Sequence, residues 1–174
     1  MLSVERLPLH LTIRAEVGAT FVPYLRRQLR RAHAILRPML IDFSLAVVND
    51  ARMSDLHIRF MNIAGPTDVL TFPLDLHDGG EATSGEVIVC LPEARRRAKD
   101  HGVPVRDEVL LYALHGMLHL AGFDDRTARD FARMHRTEDD ILARLGVGPV
   151  FQPNARKASR PAVANRRTAS RGGR

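Results

Sequence analysis

Two histidines and an aspartate in the C-terminal third of the chain have the spacing of metal ligands. The run HGMLHLAGFDD, residues 115–125, places His115 and His119 four residues apart. On a helix, residues four apart lie on one face, one turn from each other, where both imidazoles can bind one ion. Gly122 favours a left-handed turn that ends the helix, and the reversed chain would bring Asp125 back to the histidines. The spacing therefore predicts a catalytic zinc site with three protein ligands and a fourth position open to water.

The residue after the first histidine argues against one class of zinc enzyme. Zinc peptidases carry a glutamate at this position, where it serves as the general base. Here the position is Gly116, so the usual peptidase base is absent. A zinc metallopeptidase is therefore a less favoured interpretation.

Two neighbouring aspartates compete for the third ligand position. Asp125 has the spacing of a ligand, and a carboxylate binds zinc at a distance similar to that of an imidazole. Asp124 is the rival ligand, although an aspartate in a turn commonly accepts backbone N–H groups instead. The spacing favours Asp125.

Two further polar residues lie near the motif on predicted helices. We expect His135, on the helix after the motif, to be a surface residue. Glu108 precedes His115 by seven residues and so lies on the same helix face. It could accept a hydrogen bond from a ligand, or it could pair with Arg106 or another surface charge.

Three segments resemble the signature motifs of one family. HGMLHLAGFDD resembles the motif H-G-x-L-H-L-x-G-Y/F-D-H/D of the YbeY family, bacterial metal-dependent endoribonucleases of ribosomal RNA maturation. GPTDVLTFP, residues 65–73, resembles the family's P-T-D-V-L-S-F-P segment, and GEVIVC, residues 85–90, resembles its G-D/E-I-x-I-C strand. The three segments occur in the family's order, and the resemblance covers roughly residues 5–146.

The resemblance implies a function and a set of partners. It implies a single-strand-specific, zinc-dependent endoribonuclease with one zinc ion per chain, active in 16S ribosomal RNA 3′-end maturation and in ribosome quality control. The implied partners are ribosomal RNA in the small ribosomal subunit, a ribosomal protein and an assembly GTPase. The nucleophile could be metal-bound water or the RNA 2′-hydroxyl. The main alternative is a non-catalytic, RNA-binding ribosome assembly factor whose metal is structural.

Two positions depart from the family's pattern. Many members have histidine where this chain has Asp125, and a carboxylate there should make the metal a weaker electrophile. The family also has an arginine at the position that aligns with Met61. Arg59 lies two residues earlier, on a different face of the predicted helix, and is not an obvious substitute. Both departures keep the non-catalytic alternative open.

Several residues outside the motif are candidates for catalysis or RNA binding. Thr67 and Asp68 either begin a strand and tie down the preceding loop, or line an RNA cleft beside the metal. Glu86 is either a solvent-facing strand residue or a carboxylate that takes a proton at the site. The basic residues that we single out for RNA contact are Arg59 and, near the C-terminus, Arg156, Lys157, Arg166 and Arg167.

Charge divides the chain into two predicted regions. Residues 152–174 carry six arginines, one lysine and no acids, while the rest has 19 basic and 20 acidic residues. We therefore predict a metal-dependent hydrolase domain over residues 1–150 and a basic tail over residues 151–174. The tail has too few large apolar residues to fold alone. It is either a solvated extension or an arm that holds RNA phosphates through counterion release.

Composition indicates a cytoplasmic protein with no membrane partner. The chain has no run of about 18 apolar residues, and its first ten residues include Glu5 and no long apolar stretch. The single cysteine, Cys90, lies within an apolar strand and is expected to be an inert core residue.

Hydrophobic periodicity predicts an α+β fold with one small, mixed, four-stranded sheet and about five helices. The resemblance implies a zincin-like arrangement with the metal-binding helix beside the sheet. One face of the first helix carries Arg26, Arg27, Arg30 and Arg31, which are either solvated or in contact with RNA. The predicted strands cover residues 7–13, 43–48, 68–72 and 85–91, with a loop over 74–84, and the predicted helices cover residues 19–36, 51–61, 92–100, 105–120 and 126–145.

Overall fold

Four strands form one mixed sheet in the computed structural model, which describes residues 8–148. The strands are β1 (His10–Ala15), β2 (Asp42–Val48), β3 (Val69–Leu76) and β4 (Ala82–Cys90). Their order in the sheet is β1-β2-β4-β3, with β1, β2 and β4 parallel and β3 antiparallel to β4 at one edge. The predicted mixed, four-stranded sheet is confirmed.

Within residues 8–148, five α-helices pack around this sheet, as predicted for the α+β fold. They are α1 (Val22–Leu36), α2 (Asp50–Met61), α3 (Leu91–His101), α4 (Val105–Leu120) and α5 (Ala128–Arg144), and a short 3₁₀ turn at Ala19–Phe21 precedes α1. Side chains cap two of them: Asn49 accepts the Arg52 N–H at the start of α2, and Thr127 accepts the Asp130 N–H at the start of α5. No helix within residues 8–148 is long and apolar enough to cross a membrane.

The two faces of the sheet bury different helices. Alternation along β4 directs Val87 and Val89 to the main core, which also contains the buried residues of α1, α4 and α5. Ile88 and Cys90 point the other way, into a smaller cluster that includes Met53 of α2. Cys90 is fully buried, as expected for a core residue. Helix α4 is buried on nearly all sides, which explains its apolar sequence.

Two glycines allow α4 to lie unusually close to the sheet. A Cβ atom on Gly116 would lie 2.5 Å from a methyl carbon of Val87 and 2.9 Å from the hydroxyl oxygen of Thr71. A Cβ atom on Gly85 of β4 would lie 2.6 Å from two methyl carbons of Leu120. Because larger residues would force helix and sheet apart, these glycines set the distance between α4 and the β3–β4 hairpin.

The predicted loop over residues 74–84 is wrong. Strand β3 continues to Leu76 and β4 begins at Ala82, so a short turn joins a β-hairpin. The polar, glycine-rich sequence hid this pairing. The strand passes through Pro73, which an edge strand tolerates because its outer side needs no N–H donor, and the register is irregular between Pro73 and Asp75.

Strand β1 begins later than predicted and continues further. It covers His10–Ala15 instead of residues 7–13, because parallel pairing with β2 joins His10 to Asp42 and Ala15 to Val47. Residues 1–7, which include the first residue of the predicted strand, lie outside the described residues. Neighbouring strands thus set the bounds of β1 more strongly than its own alternation does.

The arginine face of α1 makes structural contacts. Arg26 and Arg30 donate to the backbone carbonyls of Leu11 and Leu9, at 3.1 and 3.5 Å. Arg31 donates to the carbonyl of Leu145 after α5, at 3.2 Å. These bonds tie α1 to the segment around β1 and to the end of α5, which favours a structural role for this face over RNA contact.

Candidate metal centre

A sharp turn after α4 brings the third predicted ligand to the first two. His115 and His119 lie in the last two turns of α4, which ends at Leu120. Gly122 then adopts the left-handed conformation, with φ of 86°, and its N–H donates to the carbonyl of His119. This is the glycine turn that the sequence predicts, and it returns the chain so that Asp125 faces the two imidazoles.

The three side chains converge at distances that suit one metal ion. The Nε2 atoms of His115 and His119 are 3.0 Å apart, and Oδ2 of Asp125 is 3.7 Å from each of them. Ligands about 2 Å from a tetrahedral ion are separated by roughly 3.3 Å. Two imidazoles and a carboxylate are also a common ligand set for a divalent transition metal. The donor set therefore fits a metal ion.

Each histidine is oriented by a hydrogen bond on its other ring nitrogen. Nδ1 of His115 lies 2.7 Å from Oε1 of Glu138, and Nδ1 of His119 lies 3.1 Å from the carbonyl oxygen of Phe123. Both acceptors require the proton on Nδ1, which leaves the Nε2 lone pair directed at the shared ion position. The ring orientations are thus set by the protein before any ion binds.

Glu138 is a site residue that the sequence reasoning missed. It lies on α5 and is fully buried, and its two carboxylate oxygens bond two different imidazoles. Oε1 bonds His115, and Oε2 lies 2.6 Å from Nδ1 of His135. The available signal was a glutamate on the apolar face of an amphipathic helix, alongside Met134 and Ile141, because a buried carboxylate requires partners.

The expectation that His135 is a surface residue is wrong. Its side chain is 13% exposed and its bond to Glu138 draws it into the site. Its ring stacks near the ring of His115, with centroids 6.3 Å apart and planes inclined by 23°. His135 is therefore part of the polar network behind the ligands.

The environment of His115 favours its protonated form when no metal is bound. Burial is the largest single effect and lowers the pKa of His115, but the hydrogen bond and charge of Glu138 together with neighbouring carboxylates outweigh it. The charges of Asp125 and Asp68 act in the same direction, so the pKa is raised above its ordinary value. A metal ion must therefore displace a more tightly held proton at His115 than at an isolated histidine.

Asp124 has the structural role that the sequence analysis considered for it. Its Oδ1 accepts the backbone N–H groups of Asp125 and Arg126, at 2.8 and 3.2 Å. The Arg126 guanidinium pairs with the same carboxylate at 2.7 Å, and this bond is the main reason that the pKa of Asp124 is lowered to about 2. Asp124 thus stabilises the turn that presents Asp125, which is the aspartate grouped with the two histidines.

The three ligand side chains form the floor of an open cleft of about 790 Å³. One wall is the edge strand β3 with Met61 at the end of α2, and the other wall is α5. The lining residues on the β3 side are Met61, Asp68, Val69, Leu70, Thr71, Pro73 and Leu76, and those on α5 are Phe131 and His135. The cleft is open to solvent, so the three candidate ligands can be reached from outside the protein.

The other predicted site residues lie at different distances from this cleft. Asp68 lines it, and the same carboxylate accepts the Val69 N–H at 2.8 Å and the Thr67 hydroxyl at 3.1 Å. Both interpretations of Asp68 are thus compatible with its position, while Thr67 supports it from outside the lining. Arg59 is exposed, with its guanidinium 5.7 Å from the ring centre of Phe60, and is not among the lining residues.

The structure places Glu86 away from the ligands. Its neighbour Val87 faces α4, so alternation directs Glu86 to the opposite face of the sheet, beside its cross-strand partner Phe72. The four tail residues Arg156, Lys157, Arg166 and Arg167 lie outside the described residues.

Glu108 pairs with a histidine of α3. It is buried and lies 3.2 Å from Nδ1 of His101, whereas Arg106 lies 3.7 Å from Asp107. Glu108 lines the same pocket as His115, as expected for two residues on one face of α4. The sequence placed Glu108 on this face but did not single out His101 as its partner, because a different helix supplies it.

Comparison with known proteins identifies a family model and several relatives that match most of this chain. A family model described as "Endoribonuclease YbeY" matches residues 18–146. Endoribonuclease YbeY of Thermobifida fusca is 37% identical over 111 residues, which cover 60% of this chain and 72% of that protein. Endoribonuclease YbeY of Corynebacterium diphtheriae is 36% identical over 143 residues, 72% of each chain. Across further relatives, the matched segment spans 55% to 74% of their length.

A solved structure has a similar fold. The solution structure of a protein from Thermotoga maritima superposes with a TM-score of 0.57 and 25% sequence identity, over 81% of this chain and 95% of that one. The family model spans most of the chain and includes the converging His115, His119 and Asp125. This chain therefore belongs to the endoribonuclease YbeY family.

Proposed function

We propose that this protein is a single-strand-specific, zinc-dependent endoribonuclease that acts in 16S ribosomal RNA 3′-end maturation and ribosome quality control. The observation that carries the proposal is the convergence of His115, His119 and Asp125 on one point at the floor of an open cleft. Membership of an endoribonuclease family supplies the class of substrate. The expected partners are the small ribosomal subunit, a ribosomal protein and an assembly GTPase, and the expected compartment is the cytoplasm.

Zinc is the metal that the ligand set suits best. Zinc commonly binds imidazole nitrogen and carboxylate oxygen, and a site with three protein ligands keeps one position open. When bound, such an ion polarises a phosphate oxygen and lowers the pKa of a water molecule. The ligand set here carries one negative charge, from Asp125.

The protein's own residues have distinct tasks around this position. Glu138 and the Phe123 carbonyl hold the two imidazoles so that their Nε2 atoms face the cleft. Asp124 holds the turn that presents Asp125. The β3 wall and α5 leave a cleft between them in which a phosphodiester can approach the ligands. Preorganisation of this kind reduces the cost of reorientation during the reaction.

The packing of Gly116 argues against a peptidase. A peptidase of this motif type needs a glutamate after the first histidine, but a Cβ atom at Gly116 would already lie 2.5 Å from Val87. The position faces the sheet instead of the cleft. A glutamate there could not reach a substrate without displacing β4.

A non-catalytic assembly factor remains the second candidate, and Met61 favours it. Met61 lines the cleft at the position where the family pattern has an arginine, so no cation occupies that point. Loss of a cation that stabilises the charge of the transition state would weaken phosphodiester cleavage. The metal would then serve stability and RNA binding alone.

Zinc content and RNA cleavage test the proposal together. We expect about one zinc ion per chain in the wild type. Asp125→Ala should lose it, whereas Asp124→Ala, the matched control one residue away, should retain it. If Asp124→Ala loses zinc and Asp125→Ala keeps it, the ligand assignment is wrong.

Cleavage assays then separate the candidate functions. The zinc-loaded wild type should cut single-stranded RNA and leave duplex RNA and casein intact, and His119→Ala should abolish the cutting. RNA that survives the zinc-loaded wild type would overturn the nuclease proposal and favour the assembly factor. Casein digestion would instead indicate a peptidase.

A further inference from the structure

An aromatic side chain stands beside the candidate metal centre. Phe131 on α5 lines the cleft and is 42% exposed. Among the described residues that line the cleft, it is the only phenylalanine, tyrosine or tryptophan. Its ring packs edge-on against His135, with centroids 4.1 Å apart and planes inclined by 68°. Since His135 is bonded to the buried Glu138, the phenylalanine is anchored to the network that orients the ligands.

The charges of the cleft indicate how a nucleic acid would have to be held. Asp68 and Asp125 line it, whereas no lysine or arginine is among its described lining residues. A phosphate at the floor would therefore depend on the metal ion and gain nothing from cationic side chains of the lining. Among the described residues, the apolar walls are the surface on which the flanking nucleotides can be bound, and there Met61 is 48% and Leu76 62% exposed.

We propose that Phe131 is a stacking platform for a base of single-stranded RNA, next to the phosphate held at the metal centre. The inference rests on the proposed nuclease function and assigns a residue to its choice of substrate. Stacking on an aromatic ring accepts any base, because every base has a π-face. Bases inside a duplex are already stacked and must leave the helix to meet such a ring. Phe131 would thus favour single strands without selecting a sequence.

The position of Phe131 favours RNA over a protein partner as the occupant. The exposed ring belongs to the same continuous cleft as His115, His119 and Asp125. A protein segment packed on the ring would occupy the cleft that the proposed substrate must enter. A nucleotide on the ring would place its own phosphate toward them.

Substitution of the ring tests the proposal, with variants of matched size. Phe131→Leu keeps an apolar side chain but removes the π-face, and Phe131→Trp keeps the π-face. Phe60→Leu is the control, because Phe60 is 54% exposed and does not line the cleft. We expect Phe131→Leu to lower kcat/KM for a single-stranded oligoribonucleotide by between about 5-fold and 150-fold, the effect of losing one base–aromatic stack. Phe60→Leu should stay near the wild-type value, Phe131→Trp should lose much less than Phe131→Leu, and all variants should retain zinc.

Two modified substrates separate stacking from an indirect effect on His135. Removing the base of the nucleotide beside the cleaved bond should lower wild-type kcat/KM and leave Phe131→Leu with little further loss. The fluorescence of 2-aminopurine at that nucleotide should be quenched on binding to the zinc-loaded wild type and much less on binding to Phe131→Leu. A loss in Phe131→Leu that is equally large on the abasic substrate would overturn the proposal.

The fluorescence assay keeps this proposal separate from the nuclease proposal. Quenching by a wild type that cuts no RNA would sustain the stacking role while the nuclease function fails. Equal quenching and equal cleavage by the wild type and Phe131→Leu would overturn the stacking role while the nuclease function stands. The exposed Phe131 ring would then be assigned to contact with a protein partner.

Discussion

The two walls of the cleft are built in opposite ways. On the α4–α5 wall, hydrogen bonds hold His115 and His135 to one fully buried carboxylate, Glu138. On the β3 wall, Met61 and Leu76 are largely exposed apolar side chains. The first wall has the fixed geometry that metal binding requires. The second offers contact area without directional bonds, which suits a substrate whose sequence varies.

Loss of the hydrogen bonds that Glu138 makes to His115 and His135 should have the largest effect. A glutamine at position 138 can accept a hydrogen bond from only one of the two imidazoles, so Glu138→Gln should disturb the orientation of His115. We expect zinc affinity to fall by about 10- to 100-fold, as for other residues that orient a metal ligand. Competition with a chromophoric chelator measures it.

A matched variant on the same helix controls for the loss of charge. Asp140 is exposed on α5, so Asp140→Asn removes one negative charge and should leave zinc affinity unchanged. Equal zinc affinity in the wild type and Glu138→Gln would show that the hydrogen bonds of Glu138 do not orient the ligands.

The contact between α4 and the hairpin can be tested through Gly116. Gly116→Ala would push a methyl group into Val87 and Thr71, and overpacking of this kind costs about 1 to 3 kcal/mol in the free energy of unfolding. Urea unfolding of the metal-free protein measures the change. Gly79→Ala in the hairpin turn is the control, because the nearest atom to its Cβ is 3.8 Å away. Similar stability of the two variants would contradict the close approach.

The pH dependence of metal binding should reflect the hydrogen bond between Glu138 and His115. Only the neutral imidazole of His115 binds a metal, and its pKa is raised by Glu138 despite burial. Zinc affinity should therefore be complete above this raised pKa and decline as the pH falls through it, starting at a higher pH than for an ordinary histidine.

The Glu138→Gln variant sharpens this pH test. Without the carboxylate, the pKa of His115 should fall, and the decline in zinc affinity should move to lower pH. Zinc titrations over a pH series, together with NMR of the histidine ring protons, measure both quantities. An unshifted midpoint in the variant would assign the raised pKa to another group.

A positive charge added at Met61, on the β3 wall of the cleft, should have the smallest effect. Met61→Arg places a cation in the cleft, and we expect tighter RNA binding with a log–log salt slope steeper by about 1. Zinc affinity should change little, because Met61 is neither a candidate ligand nor one of the groups that hold the ligands by hydrogen bonds. Ile63→Arg, which adds the same charge outside the lining, is the control. Equal gains in both variants would mean that the added charge acts at a distance.

Sequence reasoning succeeded where the structure is local. The ligand motif spans residues 115–125, and helix periodicity with one glycine turn was enough to predict how Asp125 meets the histidines. The buried helix α4 and the mixed sheet followed from apolar patterns of ordinary length.

Predictions from the sequence failed where the environment of a side chain depends on segments that are distant along the chain. Glu138 lies 23 residues after His115, and nothing between them shows that α5 folds back onto α4. His135 appeared exposed for the same reason. The β3–β4 hairpin was missed because its polar turn residues are typical of loops, and Glu86 was considered for catalysis because the face of a strand residue depends on its partners.

The order of the site along the chain has a consequence for protein synthesis. All four strands end by Cys90, whereas the ligands follow from His115 onward and Glu138 comes later still. Chains generally fold from the N-terminus as they leave the ribosome. The sheet can thus pair first, α4 can then dock on it through Gly116, and α5 completes the hydrogen bonds of the ligands last. A nascent chain stalled before residue 138 would present its histidines without their buried carboxylate, so full metal affinity should appear only after Glu138 has been synthesised and α5 has folded.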